Sequence, residues 1–86
     1  MKHKYLYAIL LGGKLRSNHL MEDHHLVFVV AGNEKEARKL AKLKWEAEEV
    51  HVDGTQRIEK VDGYRISLEV MPDKESKFTI NSKYSL

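Results

Sequence analysis

Eighty-six residues with fifteen basic and thirteen acidic side chains carry a net charge of +2, too balanced to demand a nucleic-acid partner. Hydrophobic residues at 42% and charged residues at 33% are near the averages for folded proteins and far from the signature of a disordered chain, which points to one small domain with a thin stability margin. There is no cysteine, so a disulfide framework, a thiolate zinc site and a thiol nucleophile are all excluded.

The opening "MKHKYLYAILLGG" places lysines before an apolar run, but Tyr5 to Leu11 is short and "GGKLR" follows it where a secretory signal would carry small residues. No stretch approaches the roughly 18 apolar residues of a bilayer span, so the expectation is a cytoplasmic protein with no membrane partner. "YLYAILL" and "HLVFVVA" are short, apolar and followed by glycine, and both read as strands; an antiparallel pair joined by the long polar segment "GGKLRSNHLMEDH" fits best. Gly12-Gly13 matches neither G-x-G-x-x-G nor G-x-x-x-x-G-K-[ST], so these glycines are expected to let the chain leave the first strand through a turn or bulge.

"NEKEARKLAKLKWEAEE" begins with Asn33, whose side chain can accept from the Glu36 amide while Glu36 reaches back, a helix start. Ala37, Leu40, Ala41 and Trp45 fall on one side, Leu43 and Ala47 widen the apolar arc, and the helix is expected to run for about fourteen residues, roughly 21 Å. "EVHVD" alternates as a third strand closed by Gly54, with Val50 and Val52 opposed to His51 and Asp53. "QRIEKVDGYRISLEV" reads as a hairpin. A three-residue loop, Val61 to Gly63, is preferred because it pairs Lys60 with Tyr64 and Ile58 with Ile66 and keeps Ile58 on the apolar side, with Gly63 at a left-handed position. "KFTINSKYSL" adds a short last strand at Phe78 to Ile80. The fold class is therefore α+β: a small, mainly antiparallel sheet of four to five strands with one amphipathic helix on one face, in the order β-β-α-β-β-β. Residues 1–86 form a single domain, with 72–86 a loosely held extension.

"YAILLGG", "DHHLVFVV" ahead of a capped helix ending near Trp45, then "HVD" and "VDGYRI", resemble in this order a bacterial family of small proteins known only as a domain of unknown function. The resemblance runs from about residue 5 to 70 and implies a domain present in one or two copies per chain. It picks out Gly12, Gly13, Glu22, His24, Trp45, His51, Asp53, Asp62, Gly63 and Tyr64; where the family has aspartate after the first histidine, this chain has His25. It lends no activity, cofactor or substrate.

In an extended strand Glu22 and His24 project to one face, as do His51 and Asp53. Were the second and third strands side by side, the E-x-H and H-x-D pairs would converge on a set suited to zinc, nickel or ferrous iron with a coordination position left open. Against this stands the more ordinary reading, histidines at strand ends bonding to backbone groups and nearby acids. The same pairs also suit a base and its orienting acid, but the nearby hydroxyls, Ser17 and Thr55, lie in no nucleophile motif. Lys35, Arg38, Lys39 and Lys42 form a basic helix stripe that reads first as a solvated face, since no aromatic residues interleave with it, and only secondarily as a nucleic-acid surface.

Both strand one, with Tyr5, Tyr7, Ile9 and Leu11 opposed to Leu6, Ala8 and Leu10, and strand two, with Leu26, Phe28 and Val30 opposed to Val27, Val29 and Ala31, are apolar on two faces. One helix covers one face, so a homodimer is expected, packed through the sheet or through edge strands with the tails exchanged. The leading expectation is a non-enzymatic oligomeric interaction module without cofactor. A metal-binding protein or small enzyme using Glu22, His24, His51 and Asp53 comes second, and a weak nucleic-acid binder third.

Overall fold

The computed structural model describes residues 3–15 and 21–72. In chain order these form β1 (Tyr5–Lys14), β2 (Asp23–Ala31), α1 (Glu34–Lys42), β3 (Glu48–Ile58), β4 (Lys60–Val61) and β5 (Tyr64–Arg65). β1 lies at the centre, antiparallel to β2 on one side and to β3 on the other, while β4 and β5 pair only with each other. The α+β class and antiparallel pairing are as expected. The four- to five-stranded sheet is not: among the described residues the main sheet has three strands. Ile66 to Val70 alternate in sequence but join no ladder among the described residues. The expected strand near Phe78 and the extension beyond Pro72 lie outside the described residues.

The core forms on one face of the sheet. Tyr7, Ile9 and Leu11 of β1 and Val27, Val29 and Ala31 of β2 are buried against Ala37 and Ala41, whose small side chains sit one turn apart and let α1 approach closely. Arg57 lies over the Tyr5 ring at 4.1 Å and pairs with Glu59 at 2.6 Å. Desolvation acts to lower the Arg57 pKa, but its hydrogen bond with the buried Tyr7 and the charge of Glu59 hold it above the ordinary value.

α1 starts as the sequence predicts. Asn33 Oδ1 accepts from the Glu36 amide at 2.8 Å, and Glu36 Oε1 accepts from the Gly32 amide at 2.9 Å. It ends earlier than predicted, at Lys42, and Leu43 is a 78% exposed C-cap residue rather than part of the apolar stripe. The physical reason is Trp45. Having left the helix, its indole packs against the core and beside His25, with ring centroids 5.4 Å apart, and lies close over Gly13.

Two glycine expectations are corrected. Gly12 and Gly13 stay within β1, and Gly54 stays within β3, which runs on through Gln56, Arg57 and Ile58. The hairpin is also shorter than expected: Val61 pairs with Tyr64 and Lys60 with Arg65 around a two-residue Asp62-Gly63 turn, both residues at positive φ, 53° and 85°. Ile58 reaches the apolar side by pairing with Leu6 of β1 instead of facing Ile66. The chain breaks from the sheet at Glu59, so alternation does not carry across that residue and the parity argument fails there.

Candidate functional site

The face of β1 turned away from α1 carries Leu6, Ala8, Leu10 and finally Gly12. Gly12 is in register with His24 of β2 and with His51 of β3. The two strands expected to be neighbours are thus separated by β1, about 10 Å apart at two strand spacings. They nevertheless bring their side chains together, because the residue between them has none.

β3 aims its residues with two irregularities. Leu10 pairs with Gly54 and Leu11 with Val52, which makes Asp53 an extra residue; between Gly12 and Lys14, β3 gains another residue and Glu49 adopts φ 53°. Bulges of this kind redirect side chains beside functional sites. Here they bracket His51 and bring Asp53 over Gly12 as well.

The resulting cluster is tight. His51 Nε2 lies 2.6 Å from Glu22 Oε2 and 3.1 Å from Asp53 Oδ1, and His24 Nε2 lies 3.3 Å from Asp53 Oδ2. A Cβ added at Gly12 would collide with Glu22 and would come within 2.7 Å of Asp53 Oδ2 and 2.8 Å of His51 Nε2. The histidine side chains are about half exposed, at 52% and 51%, and the carboxylates about one-third, so the group is open to solvent on the outer side.

His51 Nδ1 lies 3.3 Å from the Glu49 carbonyl oxygen, placed to donate to it. With Nδ1 donating, Nε2 faces two carboxylate oxygens, an arrangement satisfied either by a proton on Nε2, as imidazolium, or by a metal ion between the three atoms. The other tautomer has one N–H for two carboxylates. A divalent ion satisfies all the acceptors together, and an imidazole that ligates a metal through one nitrogen while donating to a backbone carbonyl through the other is the usual arrangement at metal sites. Tetrahedral ligands at about 2.0 to 2.1 Å from zinc stand about 3.3 Å apart. The ligand atoms of Glu22, His51 and Asp53 all lie within 4.8 Å of one another, and His24 reaches the same carboxylate.

All four sequence candidates therefore meet. His25, in register with Leu11, faces the helix side against Trp45 and takes no part. Thr55, in register with Ile9, is likewise on the helix side, while Ser17 and His19 lie outside the described residues. Lys35, Arg38, Lys39 and Lys42 belong to α1 on the other side of the sheet; Arg38, paired with Glu34 at 3.0 Å, and Lys42 line a cavity that Asp53 also borders, and none of the four contacts the histidines. Gly12 is the residue whose contribution to the site sequence reasoning missed. Its signal was its phase: it continues the Leu6, Ala8, Leu10 series by two residues, on the face the histidines share.

No helix among the described residues is long and apolar enough to cross a membrane. No curated protein and no solved structure matches the chain. The profile of the Domain of Unknown Function (DUF1543) matches residues 19–68, more than half of the chain and narrower than the span the motifs suggest. The matched stretch holds Glu22, His24, His51 and Asp53, and the chain belongs to the DUF1543 family.

Proposed function

We propose that this protein binds a divalent transition metal through Glu22, His24, His51 and Asp53. The observation that carries the reading is the orientation of His51: its Nδ1 faces the Glu49 carbonyl while its Nε2 faces two carboxylates across a glycine floor. Two imidazoles, which are borderline donors, beside two hard carboxylates suit zinc, nickel, cobalt or ferrous iron better than calcium or magnesium, which take oxygen ligands. Asp53 and His51 are held by the bulged β3, and His24 by its pairing with β1, so the set is assembled by the sheet and not by a loop alone. The outward exposure of the ligands leaves positions for water or for an oxygen donor, as in open rather than closed zinc sites.

The test is thermal unfolding of protein freed of metal by chelator, with zinc, nickel or cobalt added back. A binding ion at a hundredfold excess over its Kd contributes about 2.7 kcal/mol. Cobalt should also give visible d–d absorption that His51→Ala removes. A melting temperature unmoved by any of the three ions, with no cobalt spectrum, would overturn the reading in favour of a purely ionic cluster.

A further inference from the structure

The same open face that ends in the metal-ligand cluster is apolar along the rest of its length. β1 and β2 set Leu6 against Val30, Ala8 against Phe28 and Leu10 against Leu26. Among the described residues α1 covers the other side, the segment 66–70 borders only the Leu6–Val30 end of this face, and Leu26, Phe28 and Val30 are left 54%, 52% and 46% exposed. Together with Leu10 at 38%, these side chains leave on the order of 400 Å² of contiguous apolar surface in water, within the range of the largest patch on a typical monomer and often functional.

We infer that this face packs against the same face of a second copy of the chain, forming a two-fold sheet-on-sheet dimer. Three observations select this occupant and this surface. First, the edges of the sheet are blunted. Lys44 Nζ bonds the Phe28 carbonyl at 2.6 Å on the free side of β2, and β3 carries two irregularities and a left-handed Glu49, so neither edge offers a clean ladder to another strand. Second, the patch is continuous. Leu6, Ala8 and Ile58 extend the patch on the same face, giving the continuous apolar centre that a specific interface of roughly 800 Å² per partner needs. Third, the pattern is self-complementary. Leu6 and Leu10 lie two residues either side of Ala8, and Leu26 and Val30 two residues either side of its partner Phe28. A two-fold axis running across the strands above Ala8 and Phe28 therefore superposes Leu6 on Leu10, Leu26 on Val30 and Phe28 on its symmetry mate.

Electrostatics chooses that axis over one along the strands. In the metal-free protein, an axis along β1 would stack the Glu22 and Asp53 carboxylates of the two copies at one end. The axis across the strands instead sends each cluster toward the other copy's opposite end, where a cleft of about 960 Å³ carries Lys4, Lys60 and Arg65 against Glu59 and Glu69, a positive balance. The two sheets would lie about 10 Å apart with their strands nearly aligned.

Sedimentation equilibrium of the full chain at micromolar concentration tests this. The 10.0 kDa chain should sediment at about 20 kDa. Phe28→Lys, checked by circular dichroism, should sediment as a folded monomer. Should that variant fail to fold, Val30→Thr preserves side-chain shape and should weaken dimerisation about tenfold. Lys39→Ala on the helix side should leave it unchanged. A wild-type monomer throughout the micromolar range, or a dimer that persists in Phe28→Lys and Val30→Thr alike, would overturn the proposal.

Discussion

His51 Nε2 lies 2.6 Å from Oε2 of Glu22, although β1 separates the strand that carries one from the segment that leads to the other. The contact passes over Gly12. Gly12→Ala is therefore expected to splay the cluster and weaken zinc binding at least tenfold in isothermal titration. Because the obstructing atoms are the ends of flexible side chains, urea unfolding should show a loss below about 1 kcal/mol.

Gly13→Ala makes the opposite case. Its added methyl would lie 3.0 Å from the Glu48 carbonyl oxygen and 3.2 Å from both Ala47 and Trp45, where backbone and a packed indole have little room to give. A cost of about 1 to 3 kcal/mol is expected, read by urea unfolding of metal-free protein, with zinc affinity much less affected than in Gly12→Ala.

The two histidines should not be equivalent. His51 touches both carboxylates, whereas His24 approaches Asp53 at 3.3 Å. His51→Ala should abolish the zinc-dependent rise in melting temperature and His24→Ala should reduce it. In the wild type the zinc Kd should weaken as the pH falls, because ligand imidazoles must give up their protons to the metal. An affinity independent of pH would show that the histidines are not ligands.

At the start of α1, Asn33→Ala removes the acceptor for the Glu36 amide and should cost about 1 kcal/mol. Glu36→Ala frees the Gly32 amide. A double-mutant cycle by chemical denaturation should give a coupling of about 0.5 kcal/mol or more between the two, since both belong to one reciprocal cap.

The Asp62-Gly63 turn needs two left-handed residues in succession. Gly63→Val should cost the hairpin about 1 to 2 kcal/mol and dissolve the Val61–Tyr64 pairing, seen as faster amide exchange in β4 and β5. Exchange in β1 and β2 should stay unchanged, because the short ladder stands apart from the main sheet.

Local physics makes several of these features legible in the amino-acid sequence. The Asn33 cap depends on groups three residues apart, and it forms as the spacing predicts. The two-sided apolar character of β1 and β2 follows from a period of two, and α1 lies over one side only. The E-x-H and H-x-D pairs likewise fix which side chains share a face. Where the period breaks, the reading fails: at Glu59 the strand leaves the sheet, and at Trp45 the helix has stopped so that the indole can meet Gly13.

Spacing along the chain thus specifies most of the elements, their faces and the four polar residues able to act together, because each depends on neighbours a few positions away. Whether those four residues meet is a matter of long-range pairing, which local propensity does not encode. That pairing put β1 between the two histidine strands. The four side chains meet because the central strand offers a glycine at that register, and because an extra residue in β3 turns Asp53 toward it. Neither the absence of a side chain across a sheet nor a bulge against a distant partner leaves a periodic trace in the chain that carries it.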